Sequence, residues 1–180
     1  MPTRARERLL DTAEELFYAD GIRAVGLERI LSTSGVGRAS FYRHFAGKDE
    51  LVVAVLQRRD ERWRQWLDER VAQLGGDPLA VFDAIAERFD RADFRGCAFI
   101  NSMIESADPD SGAHQVAAAH KQALTRYVAG LLAAHGAADP DATAQRFVLL
   151  MDGATVTALR ERSSAPAQRA RELASLLLAA

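Results

Sequence analysis

The sequence predicts an all-α protein, and three observations support this prediction. The alternation of apolar and polar residues that is typical of strands is absent along the 180 residues. Ala, Leu, Arg and Glu, which favour helices, dominate the chain instead. Apolar residues make up 48% of the sequence, which is enough for a core, and clusters of Gly, Pro and Asp divide it into helix-sized segments.

The N-terminal part of the chain predicts three helices. Apolar residues recur at helical spacing over residues 3–18, and Gly21 then ends this first helix. A second helix is expected over residues 27–33 and a third over residues 38–44. The turn between them, residues 34–37, contains two glycines. Two short helices joined by such a turn form the helix-turn-helix pattern.

A long fourth helix is expected over residues 48–74, because Asp49 and Glu50 suit the positive end of a helix dipole. An apolar stripe from Leu51 to Leu74 follows this helix, and the charged residues between 58 and 64 are predicted to face water. Five further helices are bounded by Gly, Pro, Asp or Ser. They are expected at about residues 78–91, 98–106, 113–135 and 140–162, and from Pro166 to about Leu178.

The cysteine count and the hydropathy pattern indicate the cellular compartment in which the protein is expected. The chain has one cysteine, Cys97, so an intrachain disulfide is impossible. No signal peptide opens the sequence, and no apolar run approaches the roughly 20 residues that a membrane span needs. We therefore expect a soluble cytoplasmic protein with no membrane partner.

The charge is distributed unevenly. The net charge is −2, yet residues 23–48 carry five cations and one anion, Glu28, which gives a local charge of +4. A basic segment on an otherwise acidic chain suits contact with DNA phosphates at one end of the molecule. A basic surface that only faces solvent is the alternative.

The predicted third helix has the composition of a DNA-reading helix. Phe41 and Phe45 can anchor it to the core, while Arg38, Tyr42 and Arg43 are left outward. Folding alone does not explain exposed Tyr and Arg on so short a helix, whereas a helix of this kind fits a major groove about 12 Å wide. The alternative is a helical hairpin inside an unrelated bundle.

The stretch from Gly35 to Leu51, GVGRASFYRHFAGKDEL, resembles the DNA-binding signature of TetR family regulators, and the likeness extends over about residues 4–56. It implies a nine-helix TetR-like fold. A three-helix DNA-binding domain is then expected over residues 1–47 and a helical ligand-binding and dimerisation domain over residues 48–180. The implied function is that of a transcriptional regulator, with repression as the default.

The resemblance also implies individual DNA contacts. Arg38 is the best candidate for a bidentate contact to guanine, and Arg43 for a base or phosphate contact. Tyr42, His44 and Lys48 are implied to contact phosphates. The sequence departs from the family pattern at Gly26, where Thr or Ser is common, so a backbone N–H is expected to serve there instead of a hydroxyl. The full predicted DNA-binding set is Gly26, Gly37, Arg38, Ala39, Ser40, Tyr42, Arg43, His44 and Lys48.

The rest of the chain resembles the family more loosely, through the segment RGCAFINSMIE at residues 95–105. Small-molecule pockets are mostly apolar with a few polar groups, for which Asn101, His120 and Asp152 are candidates. For each aromatic residue the alternative is an ordinary place in the core. The predicted ligand-binding set is Trp63, Trp66, Phe82, Ile85, Phe89, Phe94, Cys97, Phe99, Asn101, Met103, His120, Phe147 and Asp152.

Cys97 lies at the start of the predicted sixth helix, where a thiol can gain reactivity towards electrophiles or oxidants. A buried, inert thiol is the alternative. An enzyme would pair Cys97 with His114 or His120 as nucleophile and base, but no flanking signature, metal-ligand spacing or phosphate loop supports it. A DNA-binding dimer without a ligand, its helical core filled, is a further alternative.

The last two predicted helices are expected to form a homodimer, with packing inside one chain as the alternative. Two such helix pairs make a four-helix bundle about a two-fold axis, which predicts a near-palindromic operator. We therefore expect a non-enzymatic repressor without metal or cofactor, which binds double-stranded operator DNA and is released by a small apolar ligand or electrophile. The predicted interface residues are Leu149, Gly153, Val156, Arg160, Leu173, Leu176 and Leu177.

Overall fold

The computed structural model describes residues 2–179, and within them the backbone forms nine α-helices and no strand. The all-α prediction and the predicted order of helices are confirmed. The sixth helix has the bounds predicted from the sequence. The helices are α1 Pro2–Asp20, α2 Leu27–Ser34, α3 Arg38–Tyr42, α4 Lys48–Gln73, α5 Ala80–Phe89, α6 Ala98–Ser106, α7 Gly112–Ala134, α8 Pro140–Glu161 and α9 Ala165–Leu178.

The chain divides into two compact units. The first contains the residues up to Glu61 together with Ala98–Ala118, and so includes α1 to α3, the first half of α4, α6 and the start of α7. In this unit α1 packs against both α2 and α3. Its buried apolar residues include Leu9, Leu10, Ala13, Phe17, Val25, Ile30, Phe41, Phe45, Leu51 and Val55.

The third helix is shorter than the sequence predicts, since α3 ends at Tyr42 and not at His44. Arg43 keeps right-handed helical angles, with φ −76° and ψ −18°. The backbone N–H of His44 donates to the carbonyl of Phe41 at 2.8 Å, a bond of the tighter i→i+3 type. The last turn is therefore wound more tightly, and His44 lies just outside the helix.

Two arginines of α4 do not face water, so that part of the prediction is wrong. The Arg58 side chain is 14% exposed, and its guanidinium lies 2.8 Å from a carboxylate oxygen of Asp11 and 2.8 Å from one of Glu14. Arg59 lies 3.2 Å from Glu14 and 4.3 Å from the centre of the Tyr18 ring. These half-buried ion pairs join α1 to α4 inside the first unit.

Replacing Arg58 with alanine is expected to lower the free energy of unfolding by about 1–3 kcal/mol, because the carboxylates of α1 lose their partly desolvated partner. Urea unfolding followed by circular dichroism measures this loss. Arg8→Ala is the control. Arg8 is an exposed arginine near the start of α1, the helix that carries the carboxylates. Equal losses in the two variants would contradict a stabilising role for the Arg58 cluster.

The second unit contains Arg62–Cys97 and the residues from Ala119 onward. In it α8 packs against α9, and α5 packs against both. The predicted start of the fifth helix is two residues early, because the Asp77 carboxylate accepts from the backbone N–H of Leu79 at 2.7 Å before α5 begins. Leu74, predicted to end the apolar stripe of α4, is exposed. The buried apolar residues of this unit include Leu67, Val71, Phe82, Ile85, Val128, Leu132, Phe147, Met151 and Ala158.

Candidate nucleic-acid interface

The turn between α2 and α3 is fixed by local interactions. Gly35 ends α2 in the left-handed conformation, with φ 62°, which glycine adopts at little cost. The Ser34 hydroxyl donates to the Leu31 carbonyl at 3.3 Å and accepts from the backbone N–H of Val36 at 3.3 Å. The Val36 side chain is buried. The turn therefore holds the start of α3 in a defined place beside α2.

Helix α3 has one buried side and one exposed side. Phe41 is fully buried, and its ring centre lies 5.8 Å from that of the buried Phe45. Tyr42 is 52% exposed, and Arg38 and Arg43 are exposed as well. The two phenylalanines thus anchor the helix, while its cations and its tyrosine hydroxyl remain available to a partner.

One arginine of α2 and one of α3 form ion pairs. Arg38, at the start of α3, pairs with Glu28 of α2, and Arg29 lies 2.8 Å from a carboxylate oxygen of Asp20. Both members of the first pair are more than half exposed. Exposed pairs contribute about 0–1 kcal/mol, so a base or a phosphate can replace Glu28 at little cost.

The other predicted DNA-binding residues surround α3. Ala39 is exposed, and Ser40 and His44 are half-buried. Gly26 and Gly37 precede α2 and α3 in extended conformation, and nothing lies within 4 Å of the position that a Cβ atom would take at either glycine. The backbone can therefore be approached closely from outside at these two helix starts.

Lys48, which is predicted to contact a phosphate, also interacts with residues of its own chain. Its ammonium group donates to the Ile22 carbonyl at 2.5 Å and lies 5.9 Å from the centre of the Phe17 ring. The residue is half-buried and connects the start of α4 to the loop between α1 and α2. A phosphate contact by Lys48 would have to share the ammonium group with this carbonyl.

The residues predicted to bind a ligand are divided between the two units. Phe99, Asn101 and Met103 belong to the first unit, and the other ten belong to the second. In the second unit Trp63 lies 5.0 Å from the His120 ring, between ring centres, and 6.3 Å from Trp66. The remaining ring pairs are Phe82 with Phe147 at 5.5 Å and Phe89 with Phe94 at 5.0 Å.

The predicted polar groups have different surroundings. His120 is buried against Trp63, whereas the Asp152 carboxylate forms an ion pair with Lys121 of α7. Asn101 lines a small cavity of about 30 Å³ between α1, α4 and α6 in the first unit. Such a cavity holds about one water molecule. Cys97 is half-buried and lies directly before α6.

Glu105 and Tyr127 are two polar residues that were not predicted as site residues, and both interact with distant parts of the chain. The Glu105 carboxylate, on α6, accepts from the backbone N–H of Arg23 at 2.8 Å and so ties α6 to the loop before α2. Burial and the nearby Asp68 carboxylate raise the pKa of Tyr127 to about 12, so this hydroxyl stays protonated at neutral pH. Neither interaction has a local sequence signal, because the two residues of each pair lie far apart in the chain.

Two family models match the chain, at residues 9–55 (bacterial regulatory proteins, tetR family) and at residues 79–173 (transcriptional regulator LmrA/YxaF-like, C-terminal domain). The repressor NemR of Escherichia coli K12 is 31% identical over 132 residues, which cover 66% of this chain and 66% of NemR, slightly less than two-thirds of its length.

Solved structures have the same fold. A TetR-family transcriptional regulator from Streptomyces coelicolor is 35% identical, with a TM-score of 0.91 over 99% of this chain and 90% of its own. The reduced form of E. coli NemR is 24% identical, with a TM-score of 0.84 over 97% of both chains. No helix in the described part of the chain has the length and apolar character to cross a membrane. The chain belongs to the TetR family of transcriptional regulators.

Proposed function

We propose that this regulator is a homodimeric repressor that binds a near-palindromic operator in the cytoplasm through α3 of each protomer. The two-sided character of α3, with Phe41 buried and Arg38, Tyr42 and Arg43 exposed, is the observation that carries the proposal. Residues 1–47 serve as the DNA-binding domain, and residues 48–180 bind the ligand and form the dimer. Relatives such as NemR, a repressor, support the direction of regulation.

In this proposal Arg38 contacts a guanine through two parallel hydrogen bonds, and Arg43 contacts a base or a phosphate. Tyr42, His44 and Lys48 contact phosphates and set the orientation of α3 in the groove. The extended backbone at Gly26 and Gly37 lets the DNA approach the N–H groups at the starts of α2 and α3. Ala39 and Ser40 lie at the first turn of α3, where base edges are met.

The dimer forms through α8 and α9. Monomeric proteins seldom leave several large apolar residues exposed on adjacent helices, and such a face suits a second copy of the chain. Gly153, in the middle of α8, has no atom within 4 Å of the position that a Cβ atom would occupy, so another helix can approach it closely. The large exposed apolar residues of α8 and α9 are Leu149, Val156, Leu159, Leu173 and Leu176.

Transcription in vitro tests the direction of regulation. A promoter that overlaps the operator should give less transcript when the wild-type protein is added, because the dimer excludes RNA polymerase from the site. The Arg38→Ala variant, which lacks the guanine contact, should repress only at higher concentration. More transcript with the wild-type protein would instead indicate an activator.

Release of the repressor requires a ligand that binds the DNA-free state more tightly than the DNA-bound state. A small apolar inducer is the first candidate, and the proposal places it beside Trp63, Trp66 and His120 of the second unit, whose rings lie close together. Modification of Cys97 by an electrophile is the second candidate, favoured by the half-buried position of this thiol directly before α6.

Replacing Cys97 with serine separates the two candidates. Under the electrophile hypothesis iodoacetamide should release the wild-type protein from operator DNA, while Cys97→Ser should remain bound at the same reagent concentration. Fluorescence anisotropy of a labelled operator measures the release, and the untreated variant should bind as tightly as the wild type. Equal release of both proteins would eliminate Cys97 as the sensor and leave the apolar inducer.

A further inference from the structure

Arg6 occupies an unusual position on α1. With 3.6 residues per turn, it lies on the same face of the helix as Leu9, Leu10 and Ala13, all of which are buried. An apolar residue is expected one turn before such a row, because it would extend the core. The chain has an arginine there instead, and its side chain is 46% exposed.

The Arg6 side chain reaches the C-terminal end of α3. Its guanidinium carbon lies 5.6 Å from the centre of the Phe45 ring, and the His44 ring centre lies 6.5 Å from the same ring. Arg6 and His44 are therefore both adjacent to Phe45, where the chain leaves the recognition helix. The exposed Glu7 carboxylate lies 4.0 Å from the Arg6 guanidinium, at the outer limit of an ion pair.

A structural role for Arg6 explains little of this arrangement. Phe45 is 3% exposed in a chain that includes Arg6, and an aliphatic side chain at position 6 would cover its ring without a charge. A guanidinium that contacts an aromatic face keeps the N–H groups at its edge available, and these groups match the geometry of a phosphate. The aromatic ring thus holds Arg6 in place while leaving its donors accessible.

We propose that Arg6 is an additional DNA contact that binds a backbone phosphate beside the C-terminal end of α3. The inference rests on the proposed DNA-binding function and extends that surface to α1. A phosphate is the expected ligand because Arg6 is outside the recognition helix, whose first residues meet the base edges. Arg6 therefore adds affinity for any duplex and no sequence preference.

The salt dependence of DNA binding tests this contact. Each phosphate contact contributes about 0.9 to the slope of log K against log salt concentration, so Arg6→Ala should reduce the slope by about 0.9 per protomer, or about 1.8 for a dimer. Affinity for the operator and for an unrelated duplex should fall by the same factor. Arg6→Lys, which keeps the charge, should retain most of the wild-type slope.

Two further variants make the test decisive. Arg6→Gln keeps much of the side-chain stem over Phe45, so it should lose the same slope even if Arg6→Ala folds poorly. Arg8→Ala removes an exposed arginine from nearly the opposite face of α1 and should leave the slope unchanged. An unchanged slope in Arg6→Gln, an equal loss in Arg8→Ala or a loss confined to the operator would overturn the proposal. If the wild-type protein binds no duplex, the DNA-binding function itself fails.

Discussion

Replacing Leu149 with glutamate is expected to convert the dimer into monomers and to weaken operator binding by about 10²–10⁴-fold. Leu149 is 73% exposed in the single chain and lies on the apolar face of α8 that we assign to the dimer. In a two-fold interface the substitution places two carboxylates in an apolar environment, each at a cost of several kcal/mol. Each monomer then binds one half-site and loses the gain in affinity that comes from linking two DNA-binding domains in one dimer.

Sedimentation equilibrium measures the oligomeric state, and fluorescence anisotropy with a labelled operator measures the affinity. The chain offers a matched control in Ile104→Glu, because Ile104 on α6 is 72% exposed and gains the same charge outside the proposed interface. This control should remain dimeric. A dimeric Leu149→Glu variant would contradict the assignment of the interface to α8.

Replacing Arg38 with alanine is expected to weaken operator binding by about 2–6 kcal/mol, because a bidentate contact to guanine contributes about 1–3 kcal/mol and a dimer makes two of them. The loss should be specific to sequence. Exchanging the contacted guanine in both half-sites should weaken binding by the wild-type protein and have little effect on Arg38→Ala. Anisotropy titrations with the two operators give this comparison directly.

Glu28→Gln is the matched control for Arg38→Ala, because it removes the same ion pair while keeping the arginine. It also removes a negative charge next to α3, so its affinity for DNA should not fall below that of the wild type. A loss as large as that of Arg38→Ala would mean that the ion pair, and not a contact between Arg38 and DNA, is what binding requires.

The order and extent of the helices were predictable because local signals define them. Gly35 and Gly136 are examples, since each adopts a positive φ where a helix has just ended. The predicted helix ends were wrong where the backbone conformation depends on more than the type of residue. At His44 the composition continues a helix, but the last turn tightens, and a single sequence carries no sign of that difference.

The partners of charged residues were the least predictable feature. Arg58 was expected to face water because it lies in a charged run, yet three carboxylates of α1 lie close to its guanidinium. The contact between Glu105 and the backbone of Arg23 joins residues 82 positions apart. Such pairs depend on how helices pack, whereas the exposed cations of α3 could be predicted from the spacing of Phe41 and Phe45 alone.

Selection of DNA from a random duplex library by the purified protein shows whether the protein reads a two-fold symmetric site through α3. If α3 is presented twice by a symmetric dimer, the selected sequences should converge on a near-palindrome whose half-sites are about 10 base pairs apart, centre to centre. Each half-site should contain the guanine that Arg38 contacts. Convergence on a single asymmetric site, or no enrichment at modest salt, would rule out DNA recognition by two symmetric copies of α3.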